Sequence, residues 1–245
     1  MRRESHLSRH NADHGITRVV SFDVDGTIVE SAFNDVIWLQ VIPELYGRIH
    51  DIAFAEARQH VTRAYEAIGE YDVRWYQLDY WLDRFQLGVT QEELLRRHGH
   101  HVRAYPDAVD AVRRLRDRFI LIVNSGMSDE FIRVKLEQVG LREHFQHLFS
   151  AVSLFHVVKT HHYYQRMCEL LQVSPAEIVH VGDHYDYDYV AARRAGLQAW
   201  FLQRDGGSRQ GPFVVSDLRE FADHFNEGDG LEAPNSDHRP RGEVR

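Results

Sequence analysis

The sequence predicts an α/β protein built on a doubly wound parallel sheet and carrying an inserted α-helical unit; three observations lead there. Short apolar runs alternate with stretches of helical periodicity, as parallel strands joined by crossover helices require. Three of those runs lead straight into polar residues: 19–24 into Asp23 and Asp25, 119–123 into Asn124 and Ser125, and 178–181 into Gly182 and Asp183. The alternation then stops between Glu30 and Arg103, where only helical patterns occur. Ligands of such sheets bind at the carboxyl ends of the strands, so the three runs aim polar groups at one edge.

Residues 1–17 are polar and irregular and are expected to form a tail. His6, His10 and His14 stand there at helical spacing, but no apolar residue would dock such a helix, so a solvated tail is the simpler expectation. On the first strand, side chains two apart share a face. Asp23 and Asp25 therefore point toward one site while Phe22 and Val24 pack the other way. Gly26 lets the backbone swing out of the strand, and Thr27 can hydrogen-bond within the turn. Helices are expected over residues 34–48, 52–68, 72–85 and 91–98. This insert holds Trp38, Trp75 and Trp81, and the plain reading is that its aromatics form a core of their own. Within it, the run RWYQLDYW at 74–81 is the best candidate for a surface facing a ligand.

Beyond the insert, helices at 106–116, 129–139, 163–171, 187–195 and 216–225 alternate with strands at 119–123, 147–150, 178–181 and 198–202. Gly140 and Gly196 close two of the helices. Residues 226–245 have the composition of a disordered tail. The expected organisation is a core of 18–29 and 104–225, a helical unit of 30–103, and a tail at each end.

At 245 residues, 43% hydrophobic and 27% charged, the chain can bury the core of one domain with or without an insert. A net charge of -8 argues against nonspecific binding to nucleic acid or anionic membranes. No apolar run approaches the roughly 18 residues of a membrane helix, and the amino terminus lacks the apolar centre of a signal peptide. The single cysteine, Cys168, excludes an internal disulfide and fits a reducing compartment, so a cytoplasmic protein is expected. Of 29 basic residues only Lys135 and Lys159 are lysines, which marks both as candidate sites for a compact point charge.

Two carboxylates at a strand end, a small hydroxyl residue, a lysine and a second acidic pair follow one another along the chain, and in this the sequence resembles the haloacid dehalogenase-like hydrolase superfamily. The family's first motif is matched by Asp23-Val24-Asp25-Gly26-Thr27, the second by Ser125 in VNSGMS, the third by Lys159, and the fourth by Gly182-Asp183 with Asp188 after it. The stretch AARRAGL at 191–197 also looks like the family's helix after the fourth motif, and the insert stands where the family has a helical cap. Two features depart from the pattern. Thr160-His161-His162-Tyr163-Tyr164 follows Lys159 in place of proline-rich sequence, leaving His161 and His162 either solvated or at the site mouth. His184, Tyr185 and Tyr187 replace small or amide residues of the fourth motif, which leaves open whether Asp186 approaches the ion.

The resemblance implies a magnesium-dependent phosphatase acting on a small phosphorylated metabolite through an aspartyl-phosphate. Asp23 would be the nucleophile and a ligand of Mg2+, with the Asp183 side chain and the Asp25 backbone carbonyl as further ligands. Asp188 would stand behind them, reaching the ion through water or fixing Lys159. Ser125 and the amide of Gly126 would hold the phosphoryl oxygens, and Lys159 would balance their charge. Asp25 would protonate the leaving alkoxide and then deprotonate the attacking water. Its presence favours phosphate-ester hydrolysis over cleavage of carbon–halogen or carbon–phosphorus bonds. A phosphomutase of the same family and a binding or regulatory protein on the same fold stay open as alternatives.

Overall fold

The strands are β1 (Val19–Phe22), β2 (Ile120–Ser125), β3 (His147–Ser150), β4 (Ile178–Gly182), β5 (Gln198–Leu202) and β6 (Val214–Val215). In the computed structural model, which describes residues 17–225, they form one parallel sheet in the order β3-β2-β1-β4-β5-β6. The sequence expectations for His6, His10, His14 and the residues after 225 lie outside the described residues.

β1 is buried along its whole length, as a central strand covered on both faces must be, and it sits where the strand order reverses. Phe22 is in register with Val123 of β2 and Val181 of β4. One residue further, Asp23, Asn124 and Gly182 therefore stand level at the carboxyl edge of the sheet. Asp23 still donates its backbone N–H to Val181 O at 2.9 Å, which ties the first carboxylate to the sheet.

After β1 the chain leaves the sheet and returns beside itself. Val29 and Ala104 form an antiparallel bridge, Glu30 N donates to Arg103 O at 2.9 Å, and Tyr105 N donates to Ile28 O at 3.0 Å. Between these points the described elements are all helical: α1 (Ala32–Val36), α2 (Ile42–His50), α3 (Phe54–Ile68), α4 (Leu78–Arg84) and α5 (Gln91–His98). A π-helical turn, Ile37–Val41, joins α1 to α2, so the helix expected over 34–48 is one rod with a widened middle.

The helix expected over 72–85 is broken. Asp72 accepts a hydrogen bond from Arg74 N at 2.9 Å and starts a short 3-10 turn, Val73–Tyr76; Gln77 is then extended, at φ -91 and ψ 99, before α4 begins. The break divides the RWYQLDYW run. Leu78 and Trp81 are fully buried, while Tyr76 reaches the cleft at the sheet edge.

The second half continues with α6 (Pro106–Leu115), α7 (Asp129–Gln138), α8 (Ala151–Phe155), α9 (His161–Leu171), α10 (Ala191–Arg194) and α11 (Leu218–Asp223). The five-residue helix α8 and the two-residue edge strand β6 are too short for a periodic pattern to reveal. Among the described residues no helix is long and apolar enough to cross a membrane.

The aromatics of the insert do form a core, around Tyr65, Trp75, Trp81 and Phe85, but that core is not closed. Trp38 stacks on Phe131 of α7 with ring centroids 6.1 Å apart and planes 10° apart, and Phe33 meets the same ring edge-on at 5.9 Å. Phe131 is fully buried and joins the two apolar regions. Phe131→Ala is expected to lower the unfolding free energy by about 3–5 kcal/mol in a urea titration, the usual cost of emptying a buried aromatic site.

Candidate active site

Asp23 stands at the centre of the carboxyl edge. Its Oδ1 accepts from Lys159 Nζ at 2.6 Å, and its Oδ2 accepts from Thr27 Oγ1 at 3.2 Å. Lys159, buried on the loop before α9, also pairs with Asp188 Oδ1 and donates to the backbone oxygen of Asn124 at 3.2 Å. Asp188 is fully buried, and its Oδ2 accepts the backbone N–H of His184 at 3.0 Å. That bond turns the chain back on itself, and a π-helical turn, Tyr185–Val190, stands where an α-helix from 187 is expected. Such turns are often found where a functional side chain is aimed.

Asp183 lies exposed at the mouth of the cleft. Carboxylate oxygens of Asp23, Asp183 and Asp188 come within 4.8 Å of one another. Two glycines permit this crowding. Gly26 has φ +73, and a Cβ there would fall 2.0 Å from Asp183 Oδ2; at Gly182 a Cβ would fall 2.4 Å from Asp188 Cγ.

The charges respond to this packing. Burial works against the Lys159 ammonium, but Asp188 and Asp23 hold its pKa well above the ordinary lysine value. Burial likewise opposes charge on Asp188, and Lys159 outweighs it, so this carboxyl stays below the usual range. Asp23 is not fully compensated: burial, with Asp188 and Asp25 adding to it against Lys159, pushes its pKa up to about 7. Asp183 keeps access to solvent, yet the surrounding protein and the nearby charges of Asp23 and Asp188 push it up to about 8.

Ser125 and Gly126 face this cluster from the end of β2. Ser125 Oγ accepts from Met127 N at 3.0 Å, which fixes the turn. Gly126 lies under the ring of Tyr76, 3.8 Å from where its Cβ would stand. Asp25 lines the same cleft; its Oδ1 accepts from Asn34 Nδ2 at 2.9 Å and pairs with Lys135. Lys135 is wholly buried on α7, and burial lowers its pKa against the pull of Asp25. All seven residues singled out by sequence, Asp23, Asp25, Ser125, Gly126, Lys159, Asp183 and Asp188, line one cavity of about 230 Å3. Asp186, His161 and His162 do not line it; the two histidines pack against each other, centroids 3.9 Å apart, in the first turn of α9.

Residues 17–196 match the model of the haloacid dehalogenase-like hydrolases. The chain belongs to this family. The GMP/IMP nucleotidase YrfG of Escherichia coli is 28% identical over 134 residues, a stretch covering 54% of this chain and 58% of the nucleotidase. The chain thus spans little more than half the length of that curated relative. A phosphoglycolate phosphatase of Chromobacterium violaceum is 27% identical over 228 residues, covering 86% of this chain and 97% of the relative. Among solved structures, a haloacid dehalogenase-like phosphatase from Thermococcus onnurineus superposes with a TM-score of 0.76 at 25% identity, covering 85% of this chain and 98% of that one.

The donor set of this haloacid dehalogenase-like site fits a hard divalent cation. It offers the carboxylate oxygens of Asp23, Asp183 and Asp188, and burial first, with the neighbouring carboxylates adding to it, pushes Asp23 up to about 7 and Asp183 up to about 8.

Sequence reasoning found Asn124 at a strand end but neither its contacts nor the residues that support it. Asn124 Nδ2 donates to Ser21 Oγ at 2.5 Å, Ser21 Oγ lies 2.7 Å from His180 Nδ1, and His180 Nε2 lies 3.2 Å from Asp188 Oδ1. Tyr163 donates to Asn124 Oδ1 at 2.6 Å. The available signal was a polar residue inside each of three apolar runs. Arg204 donates to the backbone oxygens of Gly26 at 3.0 Å and Thr27 at 2.8 Å and pairs with Asp107 at 2.9 Å, clamping the turn after β1. No local pattern marks it.

A pH dependence follows. With Asp23 and Asp183 titrating near 7 and 8 when folded and near 3.8 when unfolded, the metal-free native state holds more protons than the unfolded chain between those values. These groups therefore subtract stability as pH rises through that window, and a cation that binds both as carboxylates offsets the loss. The gain in melting temperature on replacing chelator with magnesium should be larger at pH 8 than at pH 5.5. A gain that is constant or shrinks would contradict the assignment.

Proposed function

We propose that the protein is a magnesium-dependent phosphatase that hydrolyses phosphate monoesters of small metabolites through an aspartyl-phosphate at Asp23. The observation that carries this reading is one cleft holding a carboxylate fixed on both oxygens, a hydroxyl and amide pair opposite it, a paired lysine, and a second aspartate facing the same space. The name of the Thermococcus onnurineus structure, a phosphatase, supports the same class.

In the proposed reaction Asp23 attacks phosphorus while protonated Asp25 gives its proton to the departing alkoxide. The Ser125 hydroxyl and the Gly126 amide hold the phosphoryl oxygens in line, and Lys159 balances their charge. Asp25, now a carboxylate, then takes a proton from the water that cleaves the acyl-phosphate, which returns both aspartates to their starting forms. The side chains of Asp23 and Asp183 and the backbone carbonyl of Asp25 would hold a magnesium ion, which would supply charge neutralisation at the phosphoryl group. Asp188 fixes Lys159 from behind. Residues 30–103 act as a cap whose Tyr76 covers Gly126 and excludes water during transfer.

The walls of the cleft favour one kind of leaving group. Tyr76, His184 and Tyr187 line it; the last two rings stack with centroids 4.4 Å apart, and the Tyr187 hydroxyl donates to Glu70 O at 3.2 Å. Among the described lining residues Lys159 is the single lysine or arginine, and it is already shared by two carboxylates. A neutral leaving group with a flat ring suits such walls better than one bearing a second anion. A nucleoside monophosphate is therefore the preferred substrate class, in line with the name of the Escherichia coli relative.

In a hydrolysis panel with magnesium, IMP and GMP should give at least about tenfold higher kcat/KM than phosphoglycolate, a preference worth about 1.4 kcal/mol. Asp23→Asn and chelator should each abolish turnover. Folded, magnesium-loaded protein that hydrolyses no phosphomonoester would falsify the phosphatase reading, and a preference for phosphoglycolate would overturn the substrate class alone.

A further inference from the structure

Lys135 is one of two lysines in the chain and is wholly buried, yet the four motifs give it no task. It rises from α7 between aromatic faces, its Nζ 4.8 Å from the ring centroid of Phe131 and 5.8 Å from that of Phe33. Among the described residues its only ion pair is with Oδ1 of Asp25. The same oxygen accepts from Asn34 Nδ2 at 2.9 Å, so two donors from two separate elements, α7 and α1, converge on one atom. Among the described residues no hydrogen bond falls on Asp25 Oδ2, and the Asp25 side chain is 19% exposed on the cleft.

A carboxylate that leaves a strand on a turn is free to rotate about its side-chain bonds. Holding one oxygen with a buried ammonium and an amide removes that freedom and leaves the other oxygen directed at the cleft. An ammonium seated against aromatic faces with no water to exchange with is a fixed point in a way that a surface lysine is not.

We infer that Lys135, aided by Asn34, is a positioning residue for proton transfer: it anchors Asp25 Oδ1 from inside the protein so that Oδ2 meets the leaving oxygen and, in the second half-reaction, the water. The inference rests on the phosphatase reading above and adds a residue that acts through Asp25 without touching substrate.

The test uses leaving groups. An alkyl leaving oxygen needs a proton as its bond to phosphorus breaks, whereas p-nitrophenolate leaves readily without one. Lys135→Met keeps the length and apolar stem of the side chain and removes the charge. It should lower kcat/KM, which reports aspartyl-phosphate formation alone, by about a hundredfold for the alkyl phosphate turned over fastest in the panel and by less than about fivefold for p-nitrophenyl phosphate, whose kcat falls with the slowed hydrolysis of the shared intermediate. In an Asp25→Asn background the same change should cost almost nothing more, because the two residues act as a unit. Asn34→Ala, which lies in a partly buried helix turn and does not depend on repacking the core, should show the same substrate dependence with a smaller loss of about tenfold.

Equal losses of kcat/KM on both substrates in Asn34→Ala and in folded Lys135→Met would overturn the inference, as would additive losses in the double variant. Wild-type protein that turns over both substrates keeps the phosphatase reading whatever Lys135→Met does. Wild-type protein inactive on both removes that reading and this inference together.

Discussion

Lys159 is one ammonium shared between two buried carboxylates, and the geometry of the cleft depends on that sharing. Its Nζ reaches Asp23 at the end of β1 and Asp188 beyond β4, so it joins two strands at the edge where they stop pairing with each other. In a dry interior neither anion would stay charged alone, and breaking a buried pair of this kind usually costs about 3–5 kcal/mol. The surrounding layer exists to satisfy what remains. Asp188 takes the His184 amide and the His180 ring, Asp23 takes Thr27, and Asn124 offers its carbonyl to the lysine. One positive charge balances one of these carboxylates. Burial, with the neighbouring carboxylates adding to it, leaves Asp23 and Asp183 with raised pKa values that a bound cation would lower.

The cleft is a meeting of two parts of the chain. The sheet contributes the charged floor, and the helical segment between Val29 and Ala104 contributes Tyr76 above Gly126 and Asn34 beside Asp25. Phe131, packed against Phe33 and Trp38, holds these parts together one helical turn from Lys135. The apolar contact that seats the helical segment and the polar contact that orients Asp25 thus share one face of α7. A shift of that segment would move Asn34 and Tyr76 with it.

What was legible in the sequence was whatever is written locally. A buried parallel strand is an apolar run, and its end is marked where the run meets Asp23, Ser125 or Asp183, so the sheet edge and its polar residues could be read before any contact was known. Gly26 was visible as a turn residue and Gly182 as the end of a strand run, although the reason for them, room for Asp183 and Asp188, is a matter of packing. The contacts that remained hidden are long-range. Lys135 and Asp25 are 110 residues apart, Ser21 and His180 are 159 apart, and Arg204 reaches Gly26 across 178. No periodicity joins such positions. The π-helical turn after β4 was missed because the Asp188 carboxylate accepts the backbone N–H of His184, a local bond that overrode ordinary helical propensity.

In the proposed reaction Asp23 becomes covalently phosphorylated while Asp25 only moves protons. Rapid quenching of the magnesium-loaded enzyme during turnover, reduction of any acyl-phosphate with borohydride, and peptide mass spectrometry test it directly. Asp23 is expected to be converted to homoserine in the peptide carrying residues 18–27, with Asp25 unmodified and no conversion in Asp23→Asn. Conversion at Asp25, Asp183 or Asp188 would contradict it, as would turnover in Asp23→Asn at the wild-type rate.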